Sequence, residues 1–130
     1  MDPRRRMFSM AAIAAAALAS GAGAMAQSPA PIKVGVILPL SGGAGPQGQH
    51  VTEAIQAMAA LINEAGGVLG RPIEILVRDD ESTPAVGVSR ANELIGQGVA
   101  VIIEGWNSPV ALAMQPVIAR AGVLDITTFA

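Results

Sequence analysis

The sequence contains no cysteine and no tyrosine, and it has one histidine among its 130 residues. Without cysteine there is no disulfide bond, thiolate metal site, cysteine nucleophile or lipid-anchored cysteine. A single histidine cannot form the clusters that hold metal ions, so we expect His50 to lie on the surface of a helix. We therefore predict no metal site.

Basic residues are also scarce beyond residue 26, where one lysine and four arginines stand against nine acidic residues, a net charge of −4. This balance argues against nucleic acid and against an anionic membrane surface as partners. The run of Asp79, Asp80 and Glu81 invites an enzymatic or cation-binding interpretation. Because no second acidic cluster lies nearby, we interpret it as a solvated strand end whose acids cap neighbouring turns. No serine, histidine and acid set is evident, and we predict that the protein is not an enzyme.

The first 26 residues have the pattern of an export signal. Three arginines at positions 4–6 precede an apolar, alanine-rich run, and residues 24–26 form an A-x-A cleavage site. The run is too short to span a bilayer. Residues 5–8 also resemble the twin-arginine core R-R-x-F, although an ordinary secretory signal fits the flanks better. We predict a signal peptide over residues 1–26, cleavage after Ala26, a short flexible lead-in over residues 27–31 and a periplasmic location.

From residue 32 onwards, strand and helix patterns alternate. Four short apolar runs have strand character: IKVGVIL, RPIEILVR, VAVIIE and GVLDITT. Between them lie three segments with helical spacing. The first repeats Ala54, Met58, Leu61 and Ala65, with Ile55 and Ile62 beside them, and stops at glycines 66 and 67. Each of the other two opens with a capping residue followed by proline as the first helical residue, at residues 83–84 and 108–109. Three β-α-β units predict an α/β fold with a parallel sheet of strand order 2-1-3-4 and helices on both faces.

Residues 41–50, SGGAGPQGQH, contain the pattern G-x-G-x-x-G at Gly43, Gly45 and Gly48. In a dinucleotide-binding fold the first glycine follows the strand directly, and an acid lies about 20 residues beyond the motif. Here residues 39–42 intervene, and Asp79 follows Gly48 by 31 residues. No lysine follows the glycines, so a phosphate-binding P-loop is excluded as well. We therefore predict no cofactor.

The strand order locates the expected ligand site. In open α/β sheets, ligands bind beyond the carboxyl ends of the strands where the winding reverses, here between strands one and three. The loops that meet there are residues 39–48 and 104–108. A helix capped by Ser108, with Pro109 as its first residue, would present the unpaired N–H groups of Val110 and Ala111 to an anion. Ser108 could equally serve only as a helix cap, and the residues alone leave both interpretations open.

Three motifs follow one another along the chain: PLSG after the first strand, NEAGGVLGR after the first helix and DD-x-S-x-P after the second strand. Together with GWNSPVALAMQPVIARAGV, they resemble the periplasmic leucine/isoleucine/valine-type substrate-binding proteins of ABC transporters. The resemblance covers nearly all of residues 32–130. It implies a type I periplasmic binding fold whose two lobes close on an amino acid or similar small molecule and deliver it to an ABC permease in the inner membrane.

Members of that family are much longer than this chain. The resemblance therefore implies that residues 32–130 form part of the first, N-terminal ligand-binding lobe, and that the chain is a fragment or a truncated product. Two alternatives stay open, namely an exported ligand-sensing domain of a receptor and a non-functional fragment.

The resemblance also implies ligand contacts after the third and fourth strands. In the family, a serine hydroxyl and backbone N–H groups bind the ligand's carboxylate, which matches Ser108 within WNSPV, with Asn107 beside it. Trp106 would form an apolar wall at the mouth of the cleft, or else pack in the core beneath the loop. Phe129 falls where the family uses a backbone contact to the ligand.

Two further positions lie near the first strand. Gln47 stands where some family members carry a tyrosine over the ligand, and Ser41 in PLSG shapes the first loop, with ligand contact as the less favoured role. The expected ligand-binding residues are thus Ser41, Gln47, Trp106, Asn107, Ser108 and Phe129.

Overall fold

A computed structural model describes residues 29–129, and the expected signal peptide, its cleavage site and the first two residues of the lead-in lie outside this range. The elements in chain order are β1 (Ile32–Leu38), a 3-10 turn (Gly42–Ala44), α1 (Gly45–Glu64), β2 (Ile73–Asp79), α2 (Pro84–Gly96), β3 (Val101–Glu104), α3 (Ser108–Ala121) and β4 (Leu124–Thr127). The four strands form one parallel sheet in the order β2-β1-β3-β4, which confirms the predicted topology.

Helices α2 and α3 cover one face of the sheet. Their apolar side chains form a cluster with those of β1 and β3, and its fully buried larger members are Ile37, Leu94, Ile102, Val110, Met114 and Ile118. Burial of each such side chain stabilises the fold by about 1.5–3 kcal/mol. Pro116 lies inside α3, which continues across it to Ala121 and ends at Gly122 in the left-handed conformation.

Helix α1 lies on the opposite face, so helices on both faces are confirmed. Ile55, Met58, Ala59 and Ile62 line a groove between this helix and the sheet. Of the repeat that predicted the helix, Met58 and Leu61 are nevertheless 58% and 59% exposed. Because α1 is apolar on several sides, its period predicts a helix without deciding which side is buried.

An apolar groove of about 220 Å³ runs between α1 and the sheet. Its lining includes Val34 and Ile73 near the amino ends of β1 and β2, Ile75 in the middle of β2 and Ile103 near the end of β3. None of the six expected ligand-binding residues is part of this lining. Beyond it, β4 is the last strand of the sheet, with Leu124 and Ile126 exposed. None of the helices within residues 29–129 has both the length and the apolarity to cross a bilayer.

The glycine pattern after β1 serves close packing. A Cβ atom at Gly48 would lie 1.8 Å from the carbonyl oxygen of Pro39, and one at Gly45 would lie 3.0 Å from that of Leu40. The first turn of α1 thus rests directly on the backbone of the loop that precedes it. Gly43 has open space around it, with no such neighbour within 4 Å.

Replacing Gly48 by alanine should therefore destabilise the fold by about 1–3 kcal/mol, because the added methyl group forces α1 away from the loop. Gly43→Ala is the matched control and should stay within about 0.5 kcal/mol of the wild type. The free energies of unfolding in urea test this. Equal effects of the two substitutions would show that close packing is not the reason for glycine at position 48.

Candidate functional site

The ends of β3 and β4 are joined at the carboxyl edge of the sheet. The backbone N–H of Thr128 and its hydroxyl both donate to the carbonyl oxygen of Glu104, at 2.8 Å and 3.1 Å. The N–H of Trp106 donates to the carbonyl oxygen of Phe129. A Cβ atom at Gly105 would lie 2.8 Å from the Thr128 hydroxyl oxygen, so only glycine fits between the two loops. These contacts fix the loop after β3 against the chain after β4.

Trp106 and Phe129 form an aromatic pair on this edge. Their ring centroids are 5.6 Å apart at an interplanar angle of 71°, the edge-to-face arrangement that aromatic rings favour. Phe129 is 58% exposed and Trp106 is partly buried, so the pair presents an apolar surface rather than filling the core. Trp106 also has a φ of 83°, a conformation that costs a non-glycine residue about 1–3 kcal/mol and is typical of functional loops.

Helix α3 begins beside this pair, one residue earlier than expected. Asn107 is its N-cap, and its carbonyl oxygen accepts the N–H groups of both Val110 and Ala111 at 3.0 Å. The expectation that these two amides are unpaired is therefore wrong. Since proline has no N–H, Ser108 supplies the amide in the first turn that has no helical partner within the described chain.

The side chain of Asn107 is a second free donor at this helix end. Its Nδ2 is buried and has no hydrogen-bond partner among residues 29–129, and no side-chain bond caps the helix. A buried amide group without a partner is costly unless a ligand or water accepts from it. The amide and hydroxyl of Ser108 and the side-chain amide of Asn107 are thus three donors at one helix N-terminus, the kind of position where anionic oxygens bind.

The six expected ligand-binding residues fall into two groups. Trp106, Asn107, Ser108 and Phe129 lie together where β3 and β4 end. Ser41 and Gln47 lie exposed on the adjacent segment after β1 and at the start of α1, and neither hydrogen-bonds to the first group in the described chain. The structure thus gives Ser41 and Gln47 no hydrogen bond to the other four within the described chain.

The acidic residues at the end of β2 lie in different environments. Asp79 and Asp80 do accept from neighbouring turns, since Oδ1 of Asp79 takes the N–H of Glu81 and Oδ1 of Asp80 takes that of Ser82, as predicted. The prediction of a solvated position is wrong for Asp80, which is fully buried. Burial raises the pKa of Asp80, and the hydrogen bond from the N–H of Ser82, which lowers the pKa, offsets this only in part.

Glu104 was not among the expected site residues, although an acid ends the third apolar run of the sequence. It is fully buried, its Oε1 accepts the hydroxyl of Thr127, and its Oε2 has no partner in the described chain. Burial raises the pKa of this carboxyl, and the nearby charges of Asp125 and Asp80 raise it further. Within residues 29–129, no three acidic or histidine side chains are arranged to hold a metal ion.

The sequence matches a known protein family. Residues 31–130 match the periplasmic binding protein family over the whole sheet and all three helices. The chain belongs to this family. Among curated periplasmic binding proteins, the Leu/Ile/Val-binding protein BraC3 of Rhizobium johnstonii is 35% identical over 96 residues, which cover 74% of this chain and 26% of BraC3. The chain therefore spans about a quarter of the length of this relative.

Solved structures of periplasmic binding proteins show the same fold. The fatty acid ABC transporter substrate-binding protein of Thermomonospora curvata superposes with a TM-score of 0.71 at 33% identity, covering 75% of this chain and 25% of its own. The branched-chain amino acid transporter substrate-binding protein of Streptococcus pneumoniae, in complex with isoleucine, superposes with a TM-score of 0.71 at 27% identity. The match covers 77% of this chain and 29% of the other. The resemblance to leucine/isoleucine/valine-type binding proteins and the α/β fold are thereby confirmed.

The environment of Glu104 generates a prediction about pH. A carboxyl whose pKa is raised by folding binds its proton more tightly in the native state, so native stability falls as pH rises above the ordinary value of 4.5. Glu104→Gln keeps an acceptor for Thr127 and removes the charge. It should be more stable than the wild type by about 1–3 kcal/mol at pH 8, with the difference vanishing below pH ~4.

Urea unfolding at pH 4, 6 and 8 measures this difference, with exposed Glu74→Gln as the control for removing one negative charge. A Glu104→Gln difference that does not change with pH, or that matches the control, would contradict the prediction.

Proposed function

We propose that this chain is the ligand-binding part of an extracytoplasmic solute-binding component of an ABC importer, and that it binds a small carboxylate with an apolar body, such as a branched-chain amino acid. The observation that carries this proposal is the start of α3. There the buried Nδ2 of Asn107 and the amide of Ser108 both lack an acceptor within the described chain.

The chemistry of this helix end suits a carboxylate. An α-helix N-terminus carries a partial positive charge of about half an elementary charge, and free N–H groups there bind anions without a basic side chain. The hydroxyl of Ser108 and the side-chain amide of Asn107 add donors of the kind that fix ligand orientation. All of these groups lie at the carboxyl end of β3, next to the point where the winding of the sheet reverses.

The apolar part of the ligand would rest on the pair formed by Trp106 and Phe129. The exposed ring of Phe129 offers apolar surface beside the carboxylate-binding donors, and the perpendicular ring of Trp106 supports it. Such a site selects for a carboxylate attached to a hydrocarbon group rather than for a particular side chain. The names of the relatives agree with this class, since one binds leucine, isoleucine and valine, another carries isoleucine and a third is a fatty acid binder.

The location and partners follow from the same proposal. The chain would be exported by the signal peptide of residues 1–26 and act in the periplasm, without catalysis and without a cofactor. A second lobe would close over the ligand by a hinge motion, and the closed protein would deliver the ligand to an ABC permease in the inner membrane. The family match and the relatives' names support this assignment.

The fluorescence of Trp106, the one tryptophan of the chain, reports on this site directly. Titration with isoleucine, leucine, valine and octanoate should give a saturable change, and isoleucinol, which lacks the carboxylate, should give none. Ser108→Ala should raise the dissociation constant about 10- to 100-fold, because it removes a hydrogen bond to a charged group.

Ser89→Ala, an exposed position on α2, is the matched control and should bind like the wild type. The proposal would be rejected by an unchanged affinity in Ser108→Ala, by equal binding of isoleucinol, or by a folded wild-type chain that responds to none of the four carboxylates.

A further inference from the structure

The carboxylate of Asp79 joins two loops that lie far apart in the sequence. Its Oδ1 accepts the N–H of Leu40 at 2.8 Å and the N–H of Glu81 at 2.8 Å. Ser41 follows Leu40 in the chain, and hydrogen bonding to it also lowers the pKa of this carboxyl. Two backbone donors from different loops thus converge on one oxygen atom, Leu40 from the PLSG segment after β1 and Glu81 from the turn after β2.

These donors have no other structural partner available. The segment leaves the sheet after Leu38, Pro39 has no N–H, and Leu40 and Ser41 precede the helical turns, so their amides belong to neither strand nor helix. Backbone amides in this situation require a local acceptor, and an ionised carboxylate is a strong one. Asp79 can serve because it pairs with Leu38 at the end of β1 and β2, directly beside the start of the loop.

The opposite side of the same segment is held by α1. Gly48 and Gly45 bring the first turn of α1 against the carbonyl oxygens of Pro39 and Leu40, and the Nε2 of Gln49 donates to the Leu40 oxygen at 2.9 Å. With Asp79 taking the N–H groups, the loop is fixed through its donors and its acceptors at once.

The strand order places this loop beside the candidate ligand site. Because β1 lies between β2 and β3, the loop after β1 has Asp79 on one flank and the segment of Trp106, Asn107 and Ser108 on the other. We propose that Asp79 is a positioning residue, which holds Leu40 and Ser41 at the border of the ligand site and acts on binding through this loop without touching the ligand. This inference rests on the proposed function for its effect on binding, but the loop contact itself can be tested without a ligand.

The ionisation state of the Asp79 carboxyl is consistent with this positioning role. Burial by itself would raise the pKa of Asp79, but the hydrogen bonds from Ser41, Leu40 and Glu81 outweigh it and hold the pKa below the ordinary 3.8. The group is therefore an anion throughout the neutral range, and two of the three residues whose hydrogen bonds lower its pKa, Leu40 and Ser41, belong to the loop it positions.

Amide hydrogen exchange followed by NMR tests the contact. In Asp79→Asn the neutral side chain is a weaker acceptor and one of its two oxygens is replaced by an NH₂ group, so the amides of Leu40 and Ser41 should exchange about tenfold faster. The amides of Ile37 and Ile102 in the sheet should keep their wild-type rates. Glu81→Gln is the matched control, because it removes a charge from an exposed neighbouring side chain.

A pH titration of the wild type gives an independent signature. The amide proton shifts of Leu40 and Glu81 should follow one common midpoint below pH 3.8, because both amides report the same carboxyl. Ser41→Ala removes a single donor and should move that midpoint upwards towards 3.8. This variant also keeps the proposal testable if Asp79→Asn fails to fold.

Binding of isoleucine, followed through Trp106, is the last measurement. Asp79→Asn should weaken binding several-fold while the amide shifts of Trp106 and Ser108 in the unliganded protein stay unchanged. Loop amides that exchange equally in Asp79→Asn and Glu81→Gln, or midpoints for Leu40 and Glu81 that differ, would overturn the positioning role. A wild-type chain that binds no carboxylate would instead overturn the proposed function, and the exchange rates would still decide whether Asp79 holds the loop.

Discussion

The pairing of β1 with strands on both of its sides determines where every part of the candidate site lies. Its residues align with Ile73–Asp79 of β2 along their whole length and with β3 from Val34 to Ile37. The two partners follow β1 in the chain but lie on opposite sides of it, so the helices that connect them must cover opposite faces. The loop after β1 is therefore bordered on one side by the acids that end β2 and on the other by the start of α3.

Much of this architecture could be predicted because it depends on local patterns. The apolar run of β1 is short, rich in β-branched residues and bounded by proline on both sides, and the predicted strand has the bounds found in the structure. The strand order then follows from general rules of chain connection. The buried side of α1 could not be predicted in the same way. Ala54, Met58 and Leu61 form as good an apolar repeat as Ile55, Ala59 and Ile62, and only the sheet distinguishes the two.

The candidate site was predicted less completely, for reasons that particular residues make clear. Asn107 and Ser108 are both good helix caps, so the sequence does not decide which one begins α3, and the choice changes which amides are free. Asp80 and Glu104 become buried only when the strands and helices pack together, and no pattern within a single strand reveals this. The role of Asp79 requires contact with Leu40, 39 residues earlier in the chain. Contacts of that kind arise from topology rather than from spacing.

The outer edge of β4 has a practical consequence. Its Leu124 and Ile126 are exposed, and the strand ends the sheet with backbone groups that no further strand covers in the described part of the chain. Such an edge can pair with the same edge of another molecule, and a net charge of only −2 opposes that encounter weakly. The isolated chain should therefore be purified and stored at low concentration with solubilising additives. These conditions keep it monodisperse, whereas high concentration favours aggregation through this edge.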